Sequence, residues 1–226
     1  MNSKLFVVII LCFVSTSIFK ANAQININTN PYWKGEIRLL DGTSKKGLIL
    51  VPNSSGEDYI AYKSSENGNK ETFRRKLIDY VVVASENGRS YLYENIPVAY
   101  TIKGITSKNT KLLLVAAKNN YVTFYVESGV YKVDEKTNEI YFLYRSQFGN
   151  DLPATYYFIR KQDASNANLF ALSGNNIVGL NSKLKKSAKY HLTETPDLIK
   201  KIEKKELKHN DVPKIISQYI SSTNDM

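Results

Sequence analysis

The sequence predicts a mainly β fold, an antiparallel sandwich or barrel of about nine or ten strands followed by two or three short amphipathic helices. Three observations carry this. Asp41-Gly42, Asn67-Gly68 and Asn87-Gly88 place turn dipeptides between apolar runs within fifty residues, and such dipeptides are strong hairpin signals. Apolar and aromatic runs alternate with turn residues from residue 32 to about 160. Beyond residue 182 the apolar period lengthens from two residues to nearly four, which is the helical spacing.

Residues 1–23 read as a cleavable export leader. Asn2, Ser3 and Lys4 form a short basic start, residues 5–14 (LFVVIILCFV) an unbroken apolar run, and Ala21-Asn22-Ala23 a small-x-small exit before Gln24. That order describes a secretory signal. The apolar run is too short for a bilayer span, which takes about 20 residues. Leader cleavage after Ala23 implies a periplasmic or secreted chain with no transmembrane segment.

The strands follow in order. Residues 32–40 and 46–51 flank Asp41-Gly42, and Tyr59 to Lys63 precedes Asn67-Gly68. Residues 73–84 and 90–94 flank Asn87-Gly88, and the pattern continues through 111–118, 121–127, 130–133, 139–145 and 155–161. Within 121–127, Val122, Phe124 and Val126 share one face while Tyr121, Thr123 and Tyr125 share the other. Residues 81–83 and 112–116 are apolar on both faces, as befits central strands. All pairings are expected to be antiparallel.

Residues 162–182 turn to Asn, Ser, Ala and Gly and read as a loop, with 169–172 and 177–180 as weak docking segments. Ser182 is the expected cap of a short helix in which Leu184, Ala188 and His191 share a face. Thr195-Pro196-Asp197 marks a second start, with a capping hydroxyl, proline at the first position and an acid in the first turn. A third follows Asn210-Asp211, where Val212, Ile215, Ile216, Tyr219 and Ile220 recur at helical spacing. The expected organisation is a leader (1–23), a β domain (24–161), a loop (162–182) and a helical segment (183–226) packed on the β domain.

The segments Lys-Lys-Ser-Ala-Lys-Tyr (185–190), Pro-Asp-Leu-Ile-Lys-Lys-Ile-Glu (196–203) and Asp-Val-Pro-Lys-Ile-Ile-Ser-Gln-Tyr (211–219) resemble the C-terminal end of a group of exported Bacteroidetes-type proteins. Gly-Glu-Ile-Arg-Leu-Leu-Asp-Gly-Thr-Ser-Lys-Lys-Gly-Leu-Ile (35–49) is similar to their opening hairpin. In that group an aspartate-cysteine pair often precedes the proline, where this chain has Glu194-Thr195. The resemblance implies export and a β region followed by helices. It supplies no biochemistry and no functional residues.

Composition narrows the chemistry. The single cysteine, Cys12, lies in the leader, so the remainder has no disulfide, thiolate metal site or cysteine nucleophile. The whole chain carries a formal net charge of +10, and loss of Lys4 and Lys20 with the leader lowers it to +8. The excess sits in the tail, where residues 183–214 hold ten lysines against five acids. Outside the cytoplasm such a tail points to an envelope protein, a glycan or an anionic lipid surface. Nucleic acid is not expected, because glutamates interrupt the lysines and stacking aromatics are missing among them. The nucleophile-elbow, zinc-protease, phosphate-loop, dinucleotide and calcium-loop motifs are also missing.

The candidates that remain are few. His191 and His209 read as helix-end and connection residues. Strand acids Glu36, Asp79, Glu94, Glu127 and Glu139 could supply a hydrolytic carboxylate pair, and the Asp134–Glu139 turn could hold calcium, although no cofactor or metal is expected. Sixteen tyrosines exceed ordinary usage. Tyr91, Tyr93, Tyr121 and Tyr125, with Lys185, Lys186, Lys201 and Lys205, form the candidate binding surface, since tyrosine couples an apolar body to a polar tip. The reading is therefore an exported, non-enzymatic binding protein. Alternatives are a hydrolase of an envelope polymer and a structural module dimerising through its tail.

Overall fold

A computed structural model describes residues 30–104, 110–145, 151–152, 154–174 and 177–224. The leader assigned to 1–23 lies outside the described residues. The turn dipeptides act where the sequence puts them. Gly42 (φ 89°) joins β1 (Tyr32–Leu39) to β2 (Ser44–Leu50), and Asp41 Oδ1 accepts the Thr43 N–H at 2.8 Å. Asn67-Gly68 joins β3 (Tyr59–Lys63) to β4 (Lys70–Arg74). Gly88 (φ 82°) joins β5 (Ile78–Ala84) to β6 (Ser90–Ala99). Residues 73–84, expected as one strand, are instead broken by a 3-10 turn at Arg75–Leu77 that carries the chain from β4 to β5.

The remaining strands are β7 (Thr110–Lys118), β8 (Val122–Glu127), β9 (Val130–Asp134), β10 (Glu139–Arg145), β11 (Asp151–Leu152), β12 (Ala154–Lys161) and β13 (Ala167–Gly174). The main sheet runs β13-β12-β8-β7-β6-β5-β1-β2-β3-β4, and β13 also pairs with β6. That extra pairing closes β6, β7, β8, β12 and β13 into a barrel, while β5-β1-β2-β3-β4 continues from it as an open extension. Antiparallel neighbours in a ring of odd number leave one pair parallel. Here it is the short seam Ala167↔Val98 and Asn168↔Ala99. The expectation of antiparallel pairing throughout is corrected at this seam.

The expected loop at 162–182 is also corrected, because β13 lies inside it and completes the barrel. Its pairing with β12 jumps from Tyr157↔Ala171 to Phe158↔Leu169, leaving Phe170 as a bulge. The extra residue turns an alternating pattern into the consecutive run Leu-Phe-Ala-Leu and conceals the strand.

Side chains of one parity fill the small barrel: Ile96, Val98, Leu113, Tyr125, Phe158 and Ala167. Those of the other parity point outward and need cover. Over β8, β12 and β13 it comes from α1 (Leu180–His191), α2 (Pro196–Glu203) and α3 (Val212–Ser222). Val122, Phe124 and Ile159 pack there against Leu184, Ile202, Ile215 and Tyr219. Over β5, β6 and β7 it comes from the β9–β10 hairpin through Tyr131, Ile140 and Phe142. Hence all six residues of β8 are buried.

Helix starts differ in detail from expectation. Gly179 (φ 84°) precedes α1, and Ser182 lies exposed inside its first turn. Thr195 stands before α2 with Pro196 at the first position, but its hydroxyl donates to Leu192 O at 3.2 Å instead of capping. In α3, Val212, Ile215, Ile216 and Tyr219 of the predicted stripe are buried against the barrel, and Ile220 is partly buried beside them. That stripe is thus packed within the chain.

Candidate functional site

The β6–β13 seam lasts two residues and then splays. After Ala99 the chain leaves the sheet through Tyr100, Thr101, Ile102 and Lys103, whereas β13 continues beside β12. Between them, with α1 along one side, lies a cleft of about 710 Å³. Its apolar lining comes from Ile102, Leu169, Phe170, Ala171 and Leu172, with the half-exposed Tyr100 and Tyr190. Lys103, Lys183, Lys186 and Lys189 supply the charge. The helical period explains the last three, since positions three apart share a face of α1 while Leu184, Ala188 and His191 turn into the core. No acid lines the cleft among the described residues.

The far wall is fixed from three sides. Tyr100 Oη donates to both Glu127 oxygens, at 2.7 and 2.6 Å, and its ring meets Phe158 edge-on at 5.3 Å. Burial, followed by that hydrogen bond, drives the Tyr100 phenol well above its ordinary pKa. The buried His191 imidazole lies beside the Ile102 backbone. Gly104 (φ 48°) abuts Asn168 so closely that a Cβ would sit 2.3 Å from its Oδ1. A wall held this way needs little ordering when a ligand arrives.

Of the predicted binding surface, only Lys186 reaches this cleft. Tyr91 and Tyr93 have the same parity and face the β9–β10 hairpin. Tyr91 stacks on Trp33 at 5.8 Å, and Tyr93 is wholly buried edge-on to Tyr131. Tyr125 is wholly buried inside the barrel, donating to Glu94 at 2.6 Å beneath the Arg160 guanidinium. Burial and then the Glu94 bond raise its pKa. These three tyrosines are core residues, and no tyrosine-rich binding face forms from them. Tyr121 is half-buried and donates to Glu194. Lys185 is half-buried on α1, Lys201 is exposed on α2, and Lys205 (φ 63°) makes the exit turn of α2.

Glu194 is a hub that sequence reasoning missed. It accepts Lys161 Nζ at 2.5 Å, Tyr219 Oη at 2.8 Å and the Tyr121 hydroxyl, tying β12, α3 and the start of β8 to the α1–α2 connection. Burial pushes its carboxyl up, but these hydrogen bonds outweigh burial and bring it down to about 2. His191, three residues before it, is held neutral by burial and by the nearby Lys161 charge, with its pKa lowered to about 4. A lone acid before a proline gives no sequence signal for such a hub.

The strand carboxylates are dispersed onto cations and hydroxyls. Glu36 accepts from Ser44 at 2.6 Å, Glu139 from Arg89 at 2.6 Å and Glu94 from Arg160 at 2.6 Å. Glu127 accepts from Ser55 and lies 3.3 Å from Lys111 Nζ, at the barrel end opposite Glu94. Asp79 is exposed on β5. Burial raises the Glu57 carboxyl, which is satisfied locally by Asn53 N at 2.9 Å. In the 134–139 turn, Asp134 Oδ1 already accepts the N–H groups of Lys136 and Thr137.

No family model, curated protein or solved structure matches the chain.

Proposed function

We propose that the chain is an exported binding protein that holds an anionic partner, through an apolar part of that partner, in the cleft between residues 100–103, β13 and α1. One observation carries the reading: an apolar cleft of about 710 Å³ whose charged groups are all lysines. Its volume falls within the roughly 300–1,000 Å³ usual for ligand sites. Lys189 shares its charge with Glu203 at 2.6 Å, whereas Lys103, Lys183 and Lys186 have no acidic partner among the described residues. A pocket with unneutralised cations around an apolar floor favours an anion that also buries carbon. The leader at 1–23 and a remainder free of cysteine support a place in the envelope or outside the cell.

An anionic apolar dye, anilinonaphthalene sulfonate, tests the site on the native protein. Saturable fluorescence enhancement is expected, and Lys183→Glu with Lys186→Glu weakens it about tenfold, since each reversed charge replaces attraction by repulsion. Absence of a saturable site, or indifference to the double reversal, would overturn the reading. N-terminal sequencing of exported protein tests the leader and should begin at Gln24.

A further inference from the structure

We propose that the partner is a peptide, taken into the cleft as an added strand on the open edge of β13, with acidic side chains directed to the α1 lysines. This rests on the cleft being the binding site and names the chemistry of its occupant.

The lining shows which part of β13 is presented. A strand viewed face-on offers every second residue, because side chains alternate across the sheet. Leu169, Phe170, Ala171 and Leu172 all line the cleft. The bulge puts Phe170 and Ala171 on the helix-covered face together, but Leu169 packs on the barrel side, so both faces are represented and the strand meets the cleft edge-on, with its backbone. On its other edge β13 is paired with β12, and its seam with β6 ends at Asn168↔Ala99. Among the described residues nothing pairs with the free edge beyond that point. In an antiparallel pair alternate residues turn their N–H and C=O away from the partner strand, and between 169 and 172 those groups are directed at the cleft.

An unpaired edge beside a concave apolar slot is the arrangement that peptide-binding domains use for strand addition. The two faces of the incoming strand meet different surroundings. On the face covered by α1, Lys183 and Lys186 receive side chains that carry negative charge. On the other face, Tyr100 lies among the barrel-filling Phe158 and Tyr156, at 5.3 and 6.0 Å between ring centroids, and receives apolar side chains. The slot therefore selects a segment in which acidic and apolar residues alternate. A lipid or fatty acid would satisfy the lysines and the floor but would leave the backbone edge unanswered.

The experiment uses a panel of seven-residue peptides with Glu or Asp at alternate positions and Val, Leu, Ile, Phe or Tyr between them, assayed by displacement of anilinonaphthalene sulfonate from the native protein. At least one member should displace the dye. N-methylation of its alternate amides on one edge, which keeps every side chain, should weaken binding about tenfold or more by deleting backbone hydrogen bonds. Methylation on the opposite edge should have little effect, and the amides of residues 169–172 should gain hydrogen-exchange protection when the peptide binds. If no peptide displaces the dye while oleate does, or if both methylated edges bind equally, strand addition is overturned and the cleft reading stands. If the dye itself has no lysine-dependent site, the underlying reading falls with it.

Discussion

The Tyr219 hydroxyl donates a 2.8 Å hydrogen bond to the Glu194 carboxylate, fastening the last helix to the turn between the two helices before it. Tyr219 is wholly buried, edge-on to Phe124 at 5.8 Å. Tyr219→Phe keeps that packing and leaves Glu194 with Lys161 and Tyr121, so a loss of about 1 kcal/mol is expected. Glu194→Ala strips three donors of their acceptor and should cost about 3 kcal/mol. Urea unfolding of the two variants checks the order, and a larger loss for the tyrosine variant would contradict it.

Acid should destabilise the fold through a buried histidine as well as through its carboxylates. The folded-state pKa of His191, about 4, lies below its ordinary 6.5. Above pH 6.5 the imidazole is neutral in both states and costs nothing. As pH falls from 6.5 toward 4 the unfolded chain takes up a proton that the folded chain refuses, so stability is lost through that window, by about 2 kcal/mol at pH 5. Glu194 adds a second loss as pH falls from about 4.5 toward 2, because its folded pKa is also depressed. Urea midpoints at pH 7.5 and 5 should differ in the natural chain and converge in His191→Gln. Equal slopes in both would assign the effect to another group.

Gly35 and Gly47 face each other across β1 and β2, where neighbouring backbone leaves no room for a side chain. A Cβ on Gly35 would sit 2.1 Å from the Val82 carbonyl oxygen, which is backbone and cannot move aside. Gly35→Ala should cost about 3 kcal/mol. Gly56→Ala is the control, since its Cβ would meet only Lys111 Nζ, at 3.8 Å, and thermal unfolding should barely register it.

Lys205 occupies a left-handed position where α2 ends, with Glu206 N bonded to Lys201 O at 2.9 Å and Lys205 N to Ile202 O at 3.2 Å. Such helix exits favour glycine, because a Cβ is strained there. Lys205→Gly should stabilise the fold by about 1 kcal/mol while leaving dye binding in the cleft unchanged. A stability decrease would show that the lysine side chain has a role beyond its backbone angle.

Much of the β architecture was legible because hairpin turns and two-residue alternation are local signals. Tyr59–Lys63 and Glu139–Arg145 fall at their expected bounds, and the parity read for Val122, Phe124 and Val126 holds. Alternation tells which residues share a face but not what covers it. Tyr91 and Tyr93 were expected on a binding surface, yet a hairpin some forty residues further along packs over them. β6 was expected to stop at Glu94, before Pro97. It continues because β5 pairs only as far as Glu94 and β13 starts only at Val98, so Pro97 falls where one edge has no partner and its missing N–H is not needed. The cleft was illegible for a related reason. Lys186 could be seen in sequence, but the floor beneath it is made by β13, whose bulge hides the alternation on which strand recognition depends.

The two-residue seam that shuts the barrel also sets a timetable for the chain. Val98 and Ala167 are nearly seventy positions apart, so closing that loop is entropically late compared with the hairpins on either side. During synthesis β6, β7 and β8 can pair while residues 167–174 are still to emerge, and until then β6 and β12 each carry an unsatisfied edge.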